Sequence, residues 1–444
     1  MALHKLHNLH LGPIIRHSTK NSLKLWGQGN NDFKYLVARI HGTNYCSSTT
    51  VNSDTNYIGV INLQNLDSYS VGSIRQYQMA MTDRIYDSSQ FTELDWDESQ
   101  IPVYKFKLES PQELSINDNL SFIFGSCRFL WPIFGCVFFG DRGDKVFRAI
   151  NKQSETRPVD FVAMLGDQIY ADTSVNIVDK LFRAKSFEDF NHLYYKSFSY
   201  PHIKRLLANN TVYMIGDDHE YRDNYNLDIA SRDLVVYSNA ITTFNLYQYV
   251  NSPEPPFNGR YWFTTIRNNV PFFWIDARNE RTSEQIMSVN QLETIKSWLL
   301  EYKDQVKCLV SSVPMFLYKD DGDNWLGYKH QLKELLDTIT KNSIQGLVIL
   351  TGDSHMGVSA QYSIVGTNIV ITELMSSGFY AIFHADKIAP KHSLEPYMVE
   401  AVKTSPVVTK DLFSRVDISV MKRMVNFSVY DNKGSVVTDT CYNV

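Results

Sequence analysis

The sequence predicts an α/β protein in which a layered β-sheet sandwich flanked by helices follows a small N-terminal β-sandwich. Two observations support this fold class. Between about residues 10 and 110, short β-prone runs are separated by clusters of Asn, Ser, Gly and Asp, and no long helical period intervenes. From about residue 118 onward, apolar strand-like runs alternate with amphipathic segments, which is typical of layered α/β domains. We therefore expect an Ig-like β-sandwich domain over residues 1–115 and a larger domain over residues 116–444.

The predicted elements follow this division in order. The N-terminal strands are the runs LKLWGQ, YLVARI, NYIGVINL and VYKFKLES. In the larger domain, SFEDFNHLYYKSF and SVNQLETIKSWLLEYK are predicted helices, because Ser186 with Asp189 and Ser288 with Gln291 have the spacing of a capping box. GYKHQLKELLDTITKN is a further amphipathic helix. The C-terminal run MVNFSVYDNKGSVVTDTCY predicts a β-hairpin that turns around residues 431–434.

The composition is that of a globular protein, with 43% hydrophobic, 13% aromatic and 20% charged residues. The net charge of −5 offers no basic surface for docking nucleic acid. The most apolar stretch, residues 129–140, is too short for a membrane span. Because His4, Lys5, His7 and His10 interrupt the N-terminus, no standard secretory signal is visible, and we expect a soluble protein that is cytoplasmic or exported by a non-standard route. The five cysteines lack CxxC spacing and indicate neither a disulfide framework nor a zinc ribbon, and no pattern indicates an oligomeric state.

Six apolar runs of the larger domain end in polar or reactive side chains. In open α/β sheets, ligands bind outside the carboxyl ends of the strands, so these side chains are predicted to share one site. Ordinary turn residues explain the ending of any single strand. Six such endings together, with Cys and His among them, favour a shared site. The endings are Cys127, Asp167, residues 217–220, Asp276, Ser312, and the pair Asp353 and His355.

The ligand atoms at these strand ends are of two chemical types. Cys127, Tyr170 and His355 offer a thiolate, a phenolate and an imidazole, which suit a transition metal and favour a highly charged ion such as ferric iron. Asp218 and Asp353 offer only oxygen, which suits a hard ion such as Ca²⁺, Mg²⁺ or Mn²⁺. The sequence therefore predicts a metal centre with two different ions.

Asp167 is predicted to bridge the two ions, because it lies three residues before Tyr170 and has two carboxylate oxygens. Bound cations would remove the repulsion among carboxylates that converge on one sheet edge. They would also stabilise the anions of Cys127 and Tyr170, whose free pKa values of about 8.5 and about 10 leave them protonated at neutral pH. The alternative for Cys127 is a buried or nucleophilic thiol.

The motifs resemble those of a known family. GDQIY at residues 166–170 matches the GDxxY signature of metallophosphoesterases such as the purple acid phosphatases. The complete set is more similar to the alkaline phosphatase D family, and GPIIRHSTKNSLKLWGQ resembles the opening strands of that family's N-terminal β-sandwich. The resemblance implies a metallophosphoesterase-type fold across nearly the whole chain. The matching motifs are SC (126–127), LGDQIYAD (165–172), DDHE (217–220), FFWIDAR (272–278), TGDSH (351–355) and TELMSSG (372–378).

The resemblance also implies roles for individual residues. His219 is expected beside the leaving group, with a purely structural histidine as the alternative. Arg128, which follows the cysteine, is predicted to clasp phosphate oxygens through its planar fork, with a solvated charge as the equal alternative. The implied ligands are Cys127, Asp167, Tyr170 and His355 for iron, and Asp167, Asp218 and Asp353 for calcium or a similar ion.

The sequence departs from the superfamily pattern near the second ion. The position of Asp218 is an asparagine in the wider superfamily, and Ser311 and Ser312 stand where a metal-ligand histidine is common. Asn224, water or a further carboxylate would complete the ligand shell, although an asparagine in a turn is the simpler explanation. Asp276 and Asp172 are expected to have supporting roles, Asp276 by fixing a loop.

These observations predict a metal-dependent hydrolase of phosphate esters, a phosphomonoesterase or a phosphodiesterase or both, with a dinuclear metal site and a metal-bound hydroxide. The expected substrate is a phosphate ester, and loops such as 129–143 and 378–395 are expected to set the pocket width that selects between ester types. The strand ends carry no GxSxG motif, and the sequence has no P-loop. Two alternatives stay open, namely a non-catalytic, metal-stabilised binding or effector module and an iron-dependent redox protein.

Overall fold

Two small β-sheets face each other in the N-terminal part of the chain. Their orders are β2-β3-β6 and β5-β4-β7-β9, and β1 pairs separately with β8. Apolar side chains of both sheets, among them Leu25, Leu36 and Met79, meet in one buried core and form the expected small β-sandwich. The strands are β1 (His4–Lys5), β2 (Leu11–Ser18), β3 (Leu23–Gln28), β4 (Tyr35–Ile40), β5 (Cys46–Thr50), β6 (Ile58–Leu63), β7 (Ile74–Thr82), β8 (Leu94–Asp95) and β9 (Tyr104–Lys107).

The structure is a computed structural model that describes most of the chain. The predicted domain boundary between residues 115 and 116 lies outside the described residues, as do parts of both loops expected to set the pocket width. The described residues are 3–66, 74–108, 119–130, 132–133, 136–137, 141–172, 183–251, 253, 259–317, 322–381 and 388–444.

Two larger sheets form the centre of the remaining described structure, and β11 pairs separately with β12. The six-stranded sheet has the order β14-β13-β10-β23-β24-β25, and the eight-stranded sheet has the order β15-β16-β17-β18-β20-β19-β22-β21. Strands β10, β13 and β14 run parallel in the first sheet, as do β16, β17, β18 and β20 in the second. The strands are β10 (Asn119–Gly125), β11 (Pro132–Ile133), β12 (Cys136–Val137), β13 (Phe161–Leu165), β14 (Val212–Ile215), β15 (Phe263–Arg267), β16 (Val270–Trp274), β17 (Lys307–Val310), β18 (Leu347–Thr351), β19 (Gly357–Ile364), β20 (Val370–Ser376), β21 (Lys391–Leu394), β22 (Tyr397–Thr404), β23 (Leu412–Ser419), β24 (Met424–Asp431) and β25 (Val436–Asn443).

The two large sheets pack face to face through aromatic side chains. Phe122 and Phe161 of the six-stranded sheet stack with ring centroids 4.8 Å apart, and Phe161 meets Phe272 of the eight-stranded sheet edge-on at 5.4 Å. Strands β13 and β18 are buried along their whole length, as expected of parallel strands covered on both faces. Their polar groups therefore appear only where each strand ends.

Helices cover the outer faces of both sheets. Helices α1, α2, α3 and α5 pack with the N-terminal sandwich on the six-stranded sheet, and α6 and α7 pack on the eight-stranded sheet. The predicted capping box at α2 is present, because Ser186 Oγ accepts from Asp189 N at 3.2 Å and the Asp189 carboxylate accepts from Ser186 N at 2.9 Å. In the part of the chain that the structure describes, every helix is too short or too polar to cross a membrane. The helices are α1 (Lys145–Thr156), α2 (Phe187–Ser199), α3 (Pro201–Asn209), α4 (Leu227–Ala230), α5 (Leu234–Tyr247), α6 (Val289–Glu301) and α7 (Lys329–Lys341).

The C-terminal strands belong to the six-stranded sheet. Strands β24 and β25 pair antiparallel around a turn in which Gly434 has a φ of +85°. Strand β23, which the sequence pattern did not reveal, lies between β10 and β24 and pairs antiparallel with both. The end of the chain therefore supports β10, whose own end carries Cys127. Helices outside two packed sheets complete the layered architecture that the sequence predicts.

Candidate metal centre

The ends of strands β10, β13, β14 and β18 meet at one edge of the two sheets. Their ligand atoms form three groups, and within each group the atoms lie within 4.8 Å of one another. Asp167 belongs to the first two groups and Asp218 to the last two, so the three groups are continuous. The groups are Cys127, Asp167 and His355; Asp167, Asp218 and His219; and Asp217, Asp218 and Asp353.

The first group brings sulfur, oxygen and nitrogen donors around one point. Cys127 Sγ lies 3.2 Å and Tyr170 Oη 3.1 Å from the same oxygen, Asp167 Oδ2. Tyr170 Oη is also 3.3 Å from His355 Nε2. Ser377 Oγ donates to the Cys127 sulfur at 3.2 Å, an interaction that favours a thiolate there. The four residues predicted to hold iron therefore lie together.

Four of the predicted ligand residues have a left-handed backbone. The φ angles are +59° at Cys127, +55° at Asp167, +67° at Asp353 and +53° at His355. This region is sparsely populated by residues other than glycine and costs on the order of 1–3 kcal/mol per residue. Such strain clusters at functional sites, where the fold holds the backbone in an unfavourable conformation. Each of these strands thus turns sharply at its end, where its ligand side chain lies.

Gly166 allows the loops after β13 and β14 to approach each other. Its φ is +100°, and a Cβ atom at this position would lie 2.3 Å from Cβ of Asp217. Only glycine accommodates both the backbone conformation and this contact. The glycine of the GDQIY motif therefore brings Asp167 close to Asp217 and Asp218.

Glu220 fixes the same two loops through their main chains. Its buried carboxylate accepts from the backbone N–H groups of Asp167 at 3.0 Å, Gln168 at 2.6 Å and Asp217 at 2.8 Å, and from Gln248 Nε2 at 2.9 Å. Burial raises the pKa of Glu220 to about 7, against the opposing effect of these donors. The last residue of the DDHE motif therefore joins the ends of β13 and β14.

The carboxylates of the third group are paired with an arginine. Arg278 Nε donates to Asp217 Oδ1 at 2.5 Å, its Nη2 lies 3.6 Å from Asp218 Oδ1, and its Nη1 donates to Asp323 at 2.7 Å. Ser312 Oγ also donates to Asp217 Oδ1, at 2.9 Å. Two buried oxygens, Asp217 Oδ2 and Asp218 Oδ1, accept no hydrogen bond from the described residues. Buried carboxylate oxygens without a donor fit a metal ion.

The pKa shifts describe a centre that holds more acidic groups than it can ionise without a cation. Burial and the neighbouring carboxylates raise the pKa of Cys127, Tyr170 and Asp353 well above their usual values. Burial also raises the pKa of Asp167, against the charge of His219. The pKa of Asp217 is raised by burial to about 6, although Arg278 opposes the shift. A bound cation would reverse these shifts, because it stabilises the anionic form of every ligand.

His219 has a carboxylate partner outside the three groups. Its Nδ1 lies 2.7 Å from Asp172 Oδ1, its backbone N–H donates to Asp167 Oδ1 at 3.2 Å, and its ring stacks on that of Tyr170 at 4.3 Å. Burial opposes protonation, yet the charges of Asp218, Asp167 and Asp172 raise the pKa of His219 well above its usual value. The His219 side chain is 23% exposed, so the ring is within reach of a substrate. Asp172 has the supporting position expected of it.

The structure does not bring the Arg128 guanidinium into the three ligand groups. The side chain is buried, Nε donates to the Gly143 carbonyl at 3.0 Å, Nη1 donates to the Ser197 carbonyl, and Nη2 lies 3.7 Å from Asp144. Burial lowers the pKa of Arg128 to about 10, and Asp144 opposes the shift. Arg128 thus ties together the loop before α1 and the end of α2.

The structure also gives the contacts of Asn224 and Asp276, two other residues that the sequence analysis considered. The Asn224 backbone N–H donates to Asp218 Oδ2 at 2.6 Å. With its side-chain amide turned so that Nδ2 faces the carboxylate, Asn224 also donates to Asp323 at 3.2 Å. Asp276 accepts from the backbone N–H groups of Arg278 at 3.1 Å and Asn279 at 2.9 Å, so it fixes a turn, as expected.

Sequence reasoning missed Arg278 and Asp323 as members of the site, and it placed Asp217 at a strand end of the site without giving it a role. Asp217 and Arg278 stand inside the DDHE and FFWIDAR motifs, so the motifs themselves contained a signal that was assigned to other residues. Asp323 lies in a loop far from these motifs along the chain, and only its ion pairs with Arg278 and Arg281 at 2.7 and 2.9 Å reveal its role.

Comparison with known proteins gives a consistent result. The model of the family described as PhoD-like phosphatase matches residues 129–246 and 257–428. A solved structure of PhoD superposes with a TM-score of 0.70 at 13% sequence identity, covering 98% of this chain and 93% of that chain. The purple acid phosphatase PPD1 from yellow lupin (Lupinus luteus) seeds superposes with a TM-score of 0.60 at 11% identity, covering 97% of this chain and 73% of that one. A search of curated proteins finds no match.

Proposed function

The chain belongs to the PhoD-like phosphatase family and is an alkaline phosphatase D-like phosphoric ester hydrolase, and we propose that it works with two metal ions. The observation that carries this proposal is the continuity of the three ligand groups, which share Asp167 and Asp218. A single carboxylate between two sets of donors is the arrangement that bridges a pair of ions. The Asp167 carboxylate would therefore be a ligand of both ions.

The donor chemistry supports different ions at the two positions. The thiol, phenol, imidazole and carboxylate around Asp167 suit ferric iron, because anionic sulfur and oxygen ligands stabilise a highly charged ion. The second position has oxygen donors only and suits Ca²⁺, with Mg²⁺ or Mn²⁺ as other hard ions of the same preference. The proposed ligands are Cys127, Asp167, Tyr170 and His355 for the first ion, and Asp167, Asp218 and Asp353 for the second.

Arg278 and Asp217 adjust the charge around the second ion. The Arg278 guanidinium pairs with Asp217 and Asp323 and faces Asp218 at 3.6 Å. A permanent cation beside three carboxylates lowers the charge that a bound ion must balance. A divalent ion therefore suffices at the second position.

When bound, the ion pair would supply positive charge to the phosphoryl oxygens and lower the pKa of an attacking water. His219 acts on the leaving group: Asp172 lies 2.7 Å from Nδ1 and favours the protonated ring, and Nε2 is the nitrogen left to donate. The expected substrates are phosphate monoesters, phosphate diesters or both.

Metal content and hydrolysis, measured on the same samples, test the proposal. Elemental analysis of the full chain should find two metal ions, and the protein should hydrolyse nitrophenyl phosphate or bis(nitrophenyl) phosphate. Cys127→Ser should release the first ion, Asp353→Asn the second, and Asp167→Asn both. We expect Asp167→Asn to lower kcat/KM at least about a hundredfold, because metal ions contribute several kcal/mol of transition-state stabilisation.

Asp276→Asn is the matched control, because Asp276 is equally buried in a neighbouring loop and takes no part in the ligand groups. It should keep both ions. Hydrolysis that survives both Asp167→Asn and Tyr170→Phe would overturn the two-ion proposal. Two bound ions without turnover on a broad panel of phosphate esters would instead favour the metal-stabilised binding module.

A further inference from the structure

An open cleft of about 560 Å³ lies between the N-terminal sandwich and the helices that cover the six-stranded sheet. One wall comes from His10, from the end of β3 and its following turn, and from residues 56–57. The other wall comes from α2 and from Tyr247 at the end of α5. Its volume is in the range of small-molecule binding sites. None of its lining residues belongs to the metal centre.

The lining combines side-chain amides with aromatic rings. Among the described residues, no Lys, Arg, Asp or Glu lines the cleft. A lining without permanently charged side chains favours an uncharged ligand, because a charged ligand would find no fixed charge of opposite sign. The lining residues are the amides Gln28, Asn30, Asn31, Asn56 and Asn191, the rings His10, Tyr57, His192, Tyr195 and Tyr247, and Gly29.

The floor of the cleft is held in place by hydrogen bonds. Gln28 Nε2 donates to the Asn56 carbonyl at 3.1 Å and lies 3.2 Å from Tyr247 Oη, and Asn56 Nδ2 donates to the same hydroxyl at 3.0 Å. Asn56 and Tyr57 both have left-handed backbones, with φ angles of +49° and +56°. An aromatic residue in this conformation is unusual and requires support from its surroundings. The cleft is therefore largely formed before any ligand binds.

Two amide oxygens of the lining have unused acceptor capacity. Gln28 is buried, and its Oε1 accepts no hydrogen bond from the described residues. The same holds for Oδ1 of Asn191 on α2. A buried acceptor without a donor costs about 1–3 kcal/mol. Both oxygens are closed to solvent, so a ligand hydroxyl group would reach them only after the amide side chains turn toward the cleft.

The rings add flat apolar faces to these polar groups. His10 stacks on Tyr195 at 4.8 Å, so the two rings form one ledge at the rim of the cleft. Amides that donate and accept, next to aromatic faces, match a sugar, which carries hydroxyl groups around its edge and C–H groups on its faces. We propose that this cleft binds an uncharged carbohydrate at a site separate from the metal centre.

Saturation-transfer NMR on the full, metal-loaded chain tests the proposal. The probes are maltotriose, cellotriose, mannotriose and triacetylchitotriose, each with and without orthovanadate in the metal centre. At least one sugar should bind with a Kd of about a millimolar or below. Orthovanadate should leave this binding unchanged, because no lining residue is shared with the metal centre.

Asn191→Ala and Tyr195→Ala should each weaken binding at least tenfold, whereas Asn342→Ala, an exposed amide at the end of α7, should not. Thermal unfolding of each variant shows whether the fold is kept, and Asn31→Ala, at an exposed position, replaces any variant that fails to fold. The proposal is overturned if no sugar binds at ten millimolar, if the lining variants bind as the wild type does, or if adenosine, an uncharged nucleoside, occupies the cleft more tightly than any sugar.

Discussion

The His219 ring is held between a carboxylate and an aromatic ring. Asp172 Oδ1 lies 2.7 Å from Nδ1, and the Tyr170 ring stacks on the imidazole at 4.3 Å. A carboxylate at Nδ1 fixes the orientation of the ring and favours its protonated form. Asp172 therefore influences both the orientation of the His219 ring and its pKa.

We expect Asp172→Asn to change the pH dependence of hydrolysis as well as its rate. The charge of Asp172 helps to raise the pKa of His219, so its removal lowers that pKa. The protonated ring is present below its pKa and is lost as the pH rises through it, so the alkaline limb of kcat/KM should move to lower pH by about one unit or more. The rate at neutral pH should fall about tenfold to a hundredfold.

Asp304→Asn serves as the control, because this carboxylate is largely exposed and lies on the loop after α6. Its pH profile should match that of the wild type. An Asp172→Asn profile that is lower but unshifted would mean that Asp172 only holds the loop and does not act through His219.

Two arginines show how far residue chemistry can be inferred from sequence. A guanidinium next to Cys127 suggested a phosphate ligand, but Arg128 is buried against Gly143, Ser197 and Asp144. Arg278 received no role, yet it pairs with Asp217 beside the proposed second ion. The sequence shows that an arginine can bind an anion, and only tertiary structure decides which anion it meets.

The loops that end β13 and β14 can approach each other only because Gly166 has no side chain. We expect Gly166→Ala to destabilise the protein in two ways, through its φ of +100° and through a contact of 2.3 Å with Cβ of Asp217. The first effect costs about 1–2 kcal/mol and the overpacking about 1–3 kcal/mol more. Chemical denaturation measures the total loss in the free energy of unfolding. The value of kcat/KM should also fall, because Asp167 moves away from Asp218.

Gly366→Ala separates the two effects. Gly366 also has a positive φ, +83°, but a Cβ there would have no neighbour within 4 Å. In this variant the free energy of unfolding should fall only by the cost of the backbone conformation, and the activity should be kept. Equal losses of stability in the two variants would mean that the loops tolerate the contact with Asp217.

The ends of the strands were the most predictable elements. An apolar run long enough to be buried, followed at once by Asp, Cys or His, predicts a parallel strand and its ligand loop, as at β10, β13, β14 and β18. Strand β23 was not predicted, because its neighbours β10 and β24 are distant along the chain and local sequence does not encode such pairing. Asp323 was missed for the same reason, since its partners come from another loop.

The N-terminal sandwich is joined to the rest of the molecule through the ends of two helices. Arg16 Nη2 donates to the Tyr247 carbonyl at 2.6 Å, and Trp26 Nε1 donates to the Leu246 carbonyl at 2.9 Å, both at the end of α5. Tyr77 Oη donates to the Ala208 carbonyl in the last turn of α3 at 2.8 Å. Carbonyls in the last turn of a helix have no partner within the helix, so the sandwich supplies donors that α3 and α5 need.

We therefore expect the sandwich and the remainder to unfold as one unit. Calorimetry of the full chain should show a single transition, and Trp26→Ala should lower its midpoint as a whole. The buried Trp26 indole packs against the Tyr247 ring, and its removal should lower the free energy of unfolding by about 3–5 kcal/mol. Trp96→Ala, on the side of the sandwich away from this contact, should cost less. Two separate transitions, with only one responding to Trp26→Ala, would contradict this expectation.

The carboxylate of Glu220 holds the main chain of both ligand loops through hydrogen bonds that the protein makes itself. In a zinc finger, by contrast, the ligands are most of what keeps the fold together, and removing the ion unfolds it. Here we expect a chelator to remove the ions without unfolding the chain, so that the protein can bind ions again. We therefore expect the ions to bind to a chain that has already folded.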